Sequence, residues 1–273
     1  MTKVTDKADR LIKTLASYDA LGVAFSGGVD SSLLLVAARE ALGERVVAFT
    51  ARSPIHPAGE LAGARVFTAE RGIRLIEFQT DEWQQEAFWA NTADRCYVCK
   101  KVLFGTMAAA AAELGISALA HGANVDDAAD YRPGMRAAAQ MGVTAPLIDA
   151  GLTKADVRQM ARSMGLTVWN RPAMACLATR IAYGEPITLQ TLALVAAAED
   201  VLAGAGIENC RVRLADRTAH IEVPVDQMQR LLAPRLRAEL VDRLRGLGLL
   251  RIALDLEGYV PGKMNRWIDT DTT

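Results

Sequence analysis

The sequence has few cysteines, almost no net charge and no long apolar run. Only four cysteines occur in 273 residues, too few for a disulfide scaffold of this length. Lysine plus arginine number 31 and aspartate plus glutamate 32, which argues against a broad nucleic-acid-binding surface. No stretch reaches the roughly 18 uncharged apolar residues of a membrane span, and the start, "MTKVTDKADRLIKTL", lacks the apolar core of a signal peptide. We therefore expect a soluble cytoplasmic protein.

The sequence does contain an alternation of short apolar segments with helical patterns. Strands are predicted at "LGVAF", "RVVAFTA", "RLIEFQT" and "ISALAHGAN", with helices between and after them. This alternation indicates an α/β fold, with a parallel sheet covered by helices on both faces. After about residue 186 the order becomes helix, hairpin, one long helix over roughly 226–246, and strand, which indicates a smaller α+β unit. Because Gly184 and Pro186 interrupt both periodicities, we predict domains at 1–185 and 186–273.

The stretch "VAFSGGVDSSLLL" joins the first strand to a helix through glycines and serines. Gly27 and Gly28 allow a ligand to approach the backbone, and the serine hydroxyls can hydrogen-bond phosphate oxygens at the helix N-terminus. Asp30 would repel phosphate unless a magnesium ion lay between them. The loop lacks the Gly-Lys-Ser/Thr ending of a Walker A motif, and the simpler alternative is an ordinary turn with serine capping. The predicted nucleotide-binding residues are Ser26, Gly27, Gly28, Val29, Asp30, Ser31 and Ser32, with Thr50 and Gly122 at the ends of neighbouring strands.

Three of the cysteines lie in two short motifs. "RCYVCKK" places Cys96 and Cys99 within reach of one metal centre, and "MACLATR" adds Cys176. Three thiolates could hold three irons of a [4Fe–4S] cluster and leave the fourth iron open. A zinc site that includes Cys210 and a redox pair of cysteines are the alternatives. Cys210 itself is predicted to be a small buried apolar side chain.

The segment "HGANVDDAADYRPGMRA" is unusually polar for a region that follows a buried strand. Its carboxylates Asp126, Asp127 and Asp130 can help to bind magnesium, and Arg132 can pair with a phosphate or a carboxylate. The alternative is a solvated loop with local ion pairs. We therefore expect these four residues to contact substrate or phosphate.

Residues 26–31 match the PP-loop of ATP pyrophosphatases. Together with "CYVCKK", "DYRPG" and "WNRPAMACLATRIAYG", this loop resembles the LarE family of ATP-dependent sulfur transferases. The resemblance extends over nearly the whole chain, including "RVRLADRTAHIEVP" and "LDLEGYVPGKMN". It implies an enzyme that uses ATP and Mg²⁺ to adenylate a carboxylate of pyridinium-3,5-biscarboxylic acid mononucleotide. Sulfur is then installed, as part of the synthesis of the nickel-pincer nucleotide.

The resemblance also implies two routes for the sulfur. Some family members sacrifice a single cysteine, at the position of Cys176, and others hold a [4Fe–4S] cluster on three cysteines. Because this chain has Cys96, Cys99 and Cys176, we expect the cluster form, with the transferred sulfide on the open iron. The expected partners are a small nucleotide substrate, a sulfide donor and further copies of the chain, since family members form oligomers, often hexamers.

Several basic residues remain as candidates for substrate or phosphate contacts. Arg180 could neutralise a phosphate or form a structural ion pair, and Lys101 could serve phosphate or lie on a solvated face. Arg211 and Arg213 could contact substrate or a neighbouring subunit, or pair across the strands that carry them. The rival function is a PP-loop tRNA thiolase with a [4Fe–4S] cluster, which would need a cationic surface for RNA.

Overall fold

The computed structural model describes residues 2–128, 133–172, 175–260 and 263 of the chain. These residues form two compact units. The first consists of residues 1–88 and 94–174, and the second of residues 89–93 and 175–273. Among the helices described, none has both the length and the apolar character needed to cross a bilayer.

The junction between the units lies earlier in the chain than the boundary predicted at residues 185 and 186. Hydrogen bonds inside the second unit explain the difference. The Asn91 side-chain amide donates to the carbonyls of Ala182 at 2.6 Å and Glu185 at 2.9 Å. The backbone N–H of Gly184 in turn donates to the Asn91 carbonyl at 3.1 Å. Asn91 is fully buried, so these bonds tie the segment around residues 181–185 to the second unit.

The first unit is built on a parallel sheet with the strand order β3-β2-β1-β4. This confirms the predicted α/β fold. The central strand β1 pairs with β2 on one side and β4 on the other, so the carboxyl ends of all strands meet at one edge. The strands are β1 (Leu21–Ala24), β2 (Val46–Arg52), β3 (Arg74–Gln79) and β4 (Ala118–Ala120).

Helices cover both faces of this sheet. Leu11, Leu33 and Val157, from three different helices, pack with Val23 of β1 in one buried cluster. Met107 packs in a second cluster with residues of β2, β3 and β4. Each fully buried side chain of this kind stabilises the fold by about 1.5–3 kcal/mol. The helices are α1 (Thr2–Ala16), α2 (Val29–Leu42), α3 (Ala58–Ala69), α4 (Glu86–Trp89), α5 (Arg95–Ala112), α6 (Val125–Ala128), α7 (Pro133–Gln140), α8 (Pro146–Asp149) and α9 (Lys154–Ser163).

The second unit contains a smaller sheet with the strand order β5-β6-β7. Strands β5 (Arg211–Ala215) and β6 (Thr218–Glu222) form the predicted antiparallel hairpin, and β7 (Arg251–Leu254) runs parallel to β6. Helix α10 (Leu189–Gly204) begins at Thr188, whose hydroxyl caps the helix by accepting from the Thr191 N–H at 3.0 Å.

The prediction of a single long helix over roughly 226–246 is wrong. The structure has two helices there, α11 (Met228–Leu232) and α12 (Pro234–Gly246). Ala233, between them, has an extended backbone with φ −55° and ψ 130°. Proline excludes the helical conformation from the residue that precedes it, so Pro234 ends one helix and starts the next.

Candidate active site

The loop between β1 and α2 is held together by its own serines. The Ser26 and Ser31 hydroxyl oxygens lie 3.2 Å apart, and the Ser31 hydroxyl donates to the Gly28 carbonyl at 3.2 Å. Gly27 has a φ of +75°, a conformation that side chains other than glycine rarely adopt. The two glycines therefore allow a tight turn whose next residues, from Val29 onward, form the first turn of α2.

Two features of the loop fit a bound anion. Ser32 is fully buried near the N-terminus of α2, and among the described residues its hydroxyl has no hydrogen-bond partner. Gly122, after β4, lies so close to the loop that a Cβ there would stand 2.8 Å from the Ser31 nitrogen. A side chain at residue 122 would collide with the loop backbone, so glycine lets the end of β4 lie directly beside the loop. The helix N-terminus at this loop is a suitable place for phosphate oxygens.

The other predicted nucleotide-binding residues have definite positions. The Val29 side chain lies in the core, so any contact with a nucleotide would come from its backbone. Thr50 is buried, and its hydroxyl donates to the Phe25 carbonyl at 2.8 Å, which ties the end of β2 to the end of β1. The predicted roles of both residues in nucleotide binding stay predictions.

Asp30 is the centre of a polar cluster at the carboxyl edge of the sheet. Its carboxylate pairs with the ammonium group of Lys154 and accepts from the Asn124 amide at 3.1 Å. Asp126 accepts from the Lys154 backbone N–H at 2.8 Å, and Asp127 accepts from the Asn124 N–H at 3.0 Å. The structure therefore brings together the serine-glycine loop, the segment after β4 and the start of α9. Asp130 and Arg132 lie outside the described residues.

Sequence reasoning missed Lys154. It follows the N-cap residue Thr153 and occupies the first position of α9, where the helix dipole disfavours a cation. A lysine at such a position, after a segment rich in aspartates, is the signal that could have identified it. Its side chain is 31% exposed, and its ammonium group pairs with Asp30 of the loop.

His121 lies at the end of β4, next to Gly122. Its ring is partly buried and lies against Phe104, with 5.9 Å between ring centroids. Burial, and to a lesser degree the charge of Lys100, lower the pKa of His121 from 6.5 to about 4. His121 is therefore a neutral imidazole at the edge of the candidate site at neutral pH.

This pKa shift predicts a pH effect on stability. Between about pH 6.5 and pH 4 the unfolded chain binds a proton at His121 that the folded chain excludes, so stability falls as the pH is lowered through this window. We expect a His121→Gln variant to lose about 2 kcal/mol less folding free energy than the parent between about pH 7 and pH 4.5. Urea unfolding of both proteins at the two pH values measures the difference, and equal losses would contradict the prediction.

The cysteines lie in both units. Cys96 and Cys99 are three residues apart in the first turns of α5, so they share one face of the helix in the first unit. Cys176 belongs to the second unit and precedes a short turn of helix over residues 177–180. All three are partly exposed and outside any disulfide. In the described part of the chain no group of three or more His, Cys, Asp or Glu is arranged to hold a metal ion.

Cys210 differs from the other three thiols. It is buried, and burial together with the negative charge of Glu199 raises its pKa to about 12. It is therefore protonated at physiological pH and unsuited to nucleophilic or metal chemistry. This confirms the prediction that Cys210 is a small buried side chain.

Two arginines of the second unit, Arg180 and Arg213, bind neighbouring carboxylates. Of the two alternatives for Arg180, the structure has the ion pair, because its guanidinium binds Glu199 through Nε at 2.8 Å and Nη2 at 2.9 Å. Arg213 binds the buried carboxylate of Glu222 in the same two-pronged way, which is the pairing across strands. Arg211 stacks on Tyr259, with 4.9 Å from its guanidinium carbon to the ring centroid. Contacts of these residues with substrate stay predictions.

Lys101 lies on the surface. It is exposed, and its ammonium nitrogen lies 5.6 Å from the centroid of the Tyr97 ring. Both alternatives for Lys101, a phosphate contact and a solvated residue, are compatible with this position. Its contact with phosphate stays a prediction.

A parallel sheet that carries a Ser-Gly-Gly-x-Asp-Ser loop at the carboxyl end of its central strand defines an α/β protein of the PP-loop class. Comparison with known proteins identifies the family within this class. The chain belongs to the LarE family: it is 33% identical over 266 residues to the pyridinium-3,5-bisthiocarboxylic acid mononucleotide synthase of Lactiplantibacillus plantarum, over 97% of this chain and 96% of that protein.

Two further relatives are similar to this chain. An uncharacterized protein of Synechocystis sp. is 39% identical over 260 residues, which cover 95% of this chain and 97% of the relative. One component of the glutamine-hydrolyzing GMP synthase of Methanoculleus marisnigri is 25% identical over 224 residues, 77% of this chain and 70% of that component. No protein-family model matches the chain.

Proposed function

We propose that this chain is an ATP-dependent sulfur transferase. It activates a carboxylate of pyridinium-3,5-biscarboxylic acid mononucleotide and replaces one carboxylate oxygen with sulfur, as a step in the synthesis of the nickel-pincer nucleotide. The observation that carries the proposal is the 33% identity, over nearly the full length of both chains, to a synthase named for the bisthiocarboxylic acid product. The polar cluster around the serine-glycine loop suits the activation step, and the partly exposed thiols suit the sulfur step.

ATP would bind with its phosphates at the loop and the N-terminus of α2. The loop N–H groups and the Ser32 hydroxyl are donors for phosphate oxygens, and Gly122 lets the backbone after β4 approach the loop closely. The anion would attract Lys154 away from Asp30, which is the present partner of that lysine. Asp30 would then be free to bind Mg²⁺, an ion that prefers carboxylate and phosphate oxygens.

Activation of the carboxylate makes its carbon reactive. A substrate carboxylate oxygen attacks the α-phosphorus of ATP, the bond to the β-phosphate oxygen breaks, and pyrophosphate leaves. Lys154 and Mg²⁺ would stabilise the negative charge that develops on the leaving group. The product of this step is an acyl adenylate. A sulfur nucleophile then attacks the acyl carbon, and the bond to the AMP oxygen breaks to give a thiocarboxylate and AMP.

The thiols would take part in the second step, the delivery of sulfur. Cys96, Cys99 and Cys176 have the donor chemistry of a [4Fe–4S] cluster, which when bound would carry a transferable sulfide on its open iron. The same chain without a cluster would use the sulfur of Cys176 itself. Its thiolate would attack the acyl carbon and release AMP, and the Cα–H and Cβ–S bonds of Cys176 would then break, which leaves the sulfur on the substrate as a thiocarboxylate and dehydroalanine at residue 176. The partly exposed state of these thiols supports both routes, whereas the buried Cys210 supports neither.

The second unit would bind the phosphate of the substrate. Arg211 and Arg213 project from the same face of β5, because alternate residues of a strand share a face. Arginine is well suited to phosphate because its planar guanidinium group donates two parallel hydrogen bonds. We therefore assign Arg211 to the nucleotide phosphate of the pyridinium substrate, whereas the Arg213 guanidinium is held by Glu222 and the Thr179 carbonyl.

The proposal is tested with the purified chain under anaerobic conditions, supplied with ATP, Mg²⁺ and the biscarboxylic acid mononucleotide. We expect AMP, pyrophosphate and a substrate in which sulfur has replaced oxygen, all detected by mass spectrometry. Iron and sulfide analysis, and the mass of the protein after one turnover, distinguish the two sulfur sources. The proposal fails if pyrophosphate release does not depend on the pyridinium substrate, or if tRNA gains the sulfur instead.

A further inference from the structure

Arg180 is a buried arginine whose guanidinium lies between the Cys176 turn and α10. Only 2% of its surface is exposed. Nε and Nη2 donate to the two oxygens of Glu199, which belongs to α10. Removing a charged pair of this kind from water is costly, and apolar residues of similar size often stabilise a protein equally well. The pair therefore calls for an explanation other than stability.

The third guanidinium nitrogen supplies that explanation. Nη1 donates to the Ala175 carbonyl at 2.7 Å and to the Cys176 carbonyl at 3.0 Å. These carbonyls belong to the two peptide groups that flank the Cα of Cys176. When both peptide planes are held, the backbone dihedral angles of Cys176 are fixed, and so is the direction of its Cα–Cβ bond. The thiol can then change position only by rotation about the Cα–Cβ bond.

Other bonds anchor the same turn. The Cys176 carbonyl also accepts from the Thr179 N–H at 3.0 Å and the Thr179 hydroxyl at 2.8 Å. The Thr179 carbonyl accepts from Arg213 at 2.8 Å. Glu199 accepts from the Val212 N–H of β5 at 3.0 Å, so the carboxylate that holds Arg180 is itself held by the small sheet. The turn that carries Cys176 is thus fixed to both α10 and β5.

We propose that Arg180 is a positioning residue that fixes the direction of the Cys176 thiol, with Glu199 as its anchor. The role of the thiol rests on the proposed function, whereas the positioning can be measured without it. A positive charge alone cannot fill this role, because the residue at this position must donate hydrogen bonds to Glu199 and to two carbonyls at once. Lysine keeps the charge but cannot provide this fork.

The test is the rate at which iodoacetamide alkylates each cysteine of the reduced, metal-free full-length chain, resolved by peptide mass spectrometry. In Arg180→Lys we expect Cys176 to react about tenfold faster, because lost hydrogen bonds to a charged group let the turn open. Cys96 and Cys99 should react at the parent rates, and Cys210 should stay unlabelled. Glu199→Gln should accelerate Cys176 in the same direction. Arg65→Lys is the control for the substitution itself, since Arg65 makes a similar two-pronged pair with Glu77 in the first unit but is exposed.

The outcomes separate the alternatives. An unchanged Cys176 rate in folded Arg180→Lys overturns the positioning role, and so does labelling of Cys210 together with Cys176, which would mean general opening of the second unit. In sulfur transfer we expect Arg180→Lys to lower kcat about 100-fold with the KM for ATP unchanged, since misplaced reacting groups cost rates of this size. If the parent chain makes no thiocarboxylate, the proposed function fails, and the labelling still decides the positioning role.

Discussion

Replacement of Cys176 by alanine is expected to abolish sulfur transfer while the first pyrophosphate release continues. In the proposed mechanism the two steps use different side chains, since the serine-glycine loop and Lys154 belong to the first unit and Cys176 to the second. Loss of the sulfur-bearing group should lower thiocarboxylate formation by at least about 1000-fold. The acyl adenylate should still form once per site, which a quenched-flow burst of pyrophosphate measures.

Cys210→Ala is the matched control for this variant. It removes a thiol from the same unit, but a buried one that is protonated at physiological pH, so the rate of sulfur transfer should change little. Full sulfur transfer by Cys176→Ala would remove Cys176 from the mechanism. Loss of the pyrophosphate burst in that variant would contradict the assignment of activation and sulfur delivery to separate side chains.

Replacement of Lys154 by methionine is expected to lower the rate of pyrophosphate release by about 100- to 1000-fold. This is the usual cost of removing one preorganised group that stabilises a developing charge. Methionine keeps the length and apolar stem of lysine and removes only its charge. Asp30→Asn should also slow release, through weaker Mg²⁺ binding, and raising the Mg²⁺ concentration should recover part of its rate.

The chain offers a control ion pair of the same type. Lys7 of α1 and Asp156 of α9 lie 2.5 Å apart, and neither residue belongs to the serine-glycine loop or to the polar cluster around Asp30. Lys7→Met should leave the rate of pyrophosphate release within about twofold of the parent, because a partly exposed ion pair contributes little beyond stability. If Lys7→Met and Lys154→Met slow the reaction equally, Lys154 has no special role at the phosphates.

Much of the first unit was predictable because its signals are local. The strands of the sheet are short apolar segments that end in polar residues, and helices such as α9 have their capping residue beside them. The serine-glycine loop was likewise recognisable as a motif, since its residues are contiguous in the sequence. In the second unit, the burial of Cys210 agrees with the general behaviour of a free cysteine as a small apolar side chain.

The interactions that sequence reasoning could not predict join distant parts of the chain. Asp30 and Lys154 are 124 residues apart, and nothing in either local pattern identifies the other as its partner. Arg180 and Glu199 are separated by 19 residues and the start of a helix, so a substrate contact and an ion pair looked equally reasonable. The break at Pro234, in contrast, could have been predicted, because proline disfavours a continuous helix. It was missed because the helical periodicity continues on both sides of the proline.

The hydrogen bonds of Asn91 limit the order in which the chain can fold. Residues 89–93 leave the ribosome long before residues 181–185, yet their hydrogen bonds are made to that later segment. In the nascent chain, residues 89–93 therefore cannot complete these hydrogen bonds until residues 181–185 have been synthesised. For the same reason no single cut yields two intact halves, and a fragment that starts at residue 175 would lack a buried segment of its own interior.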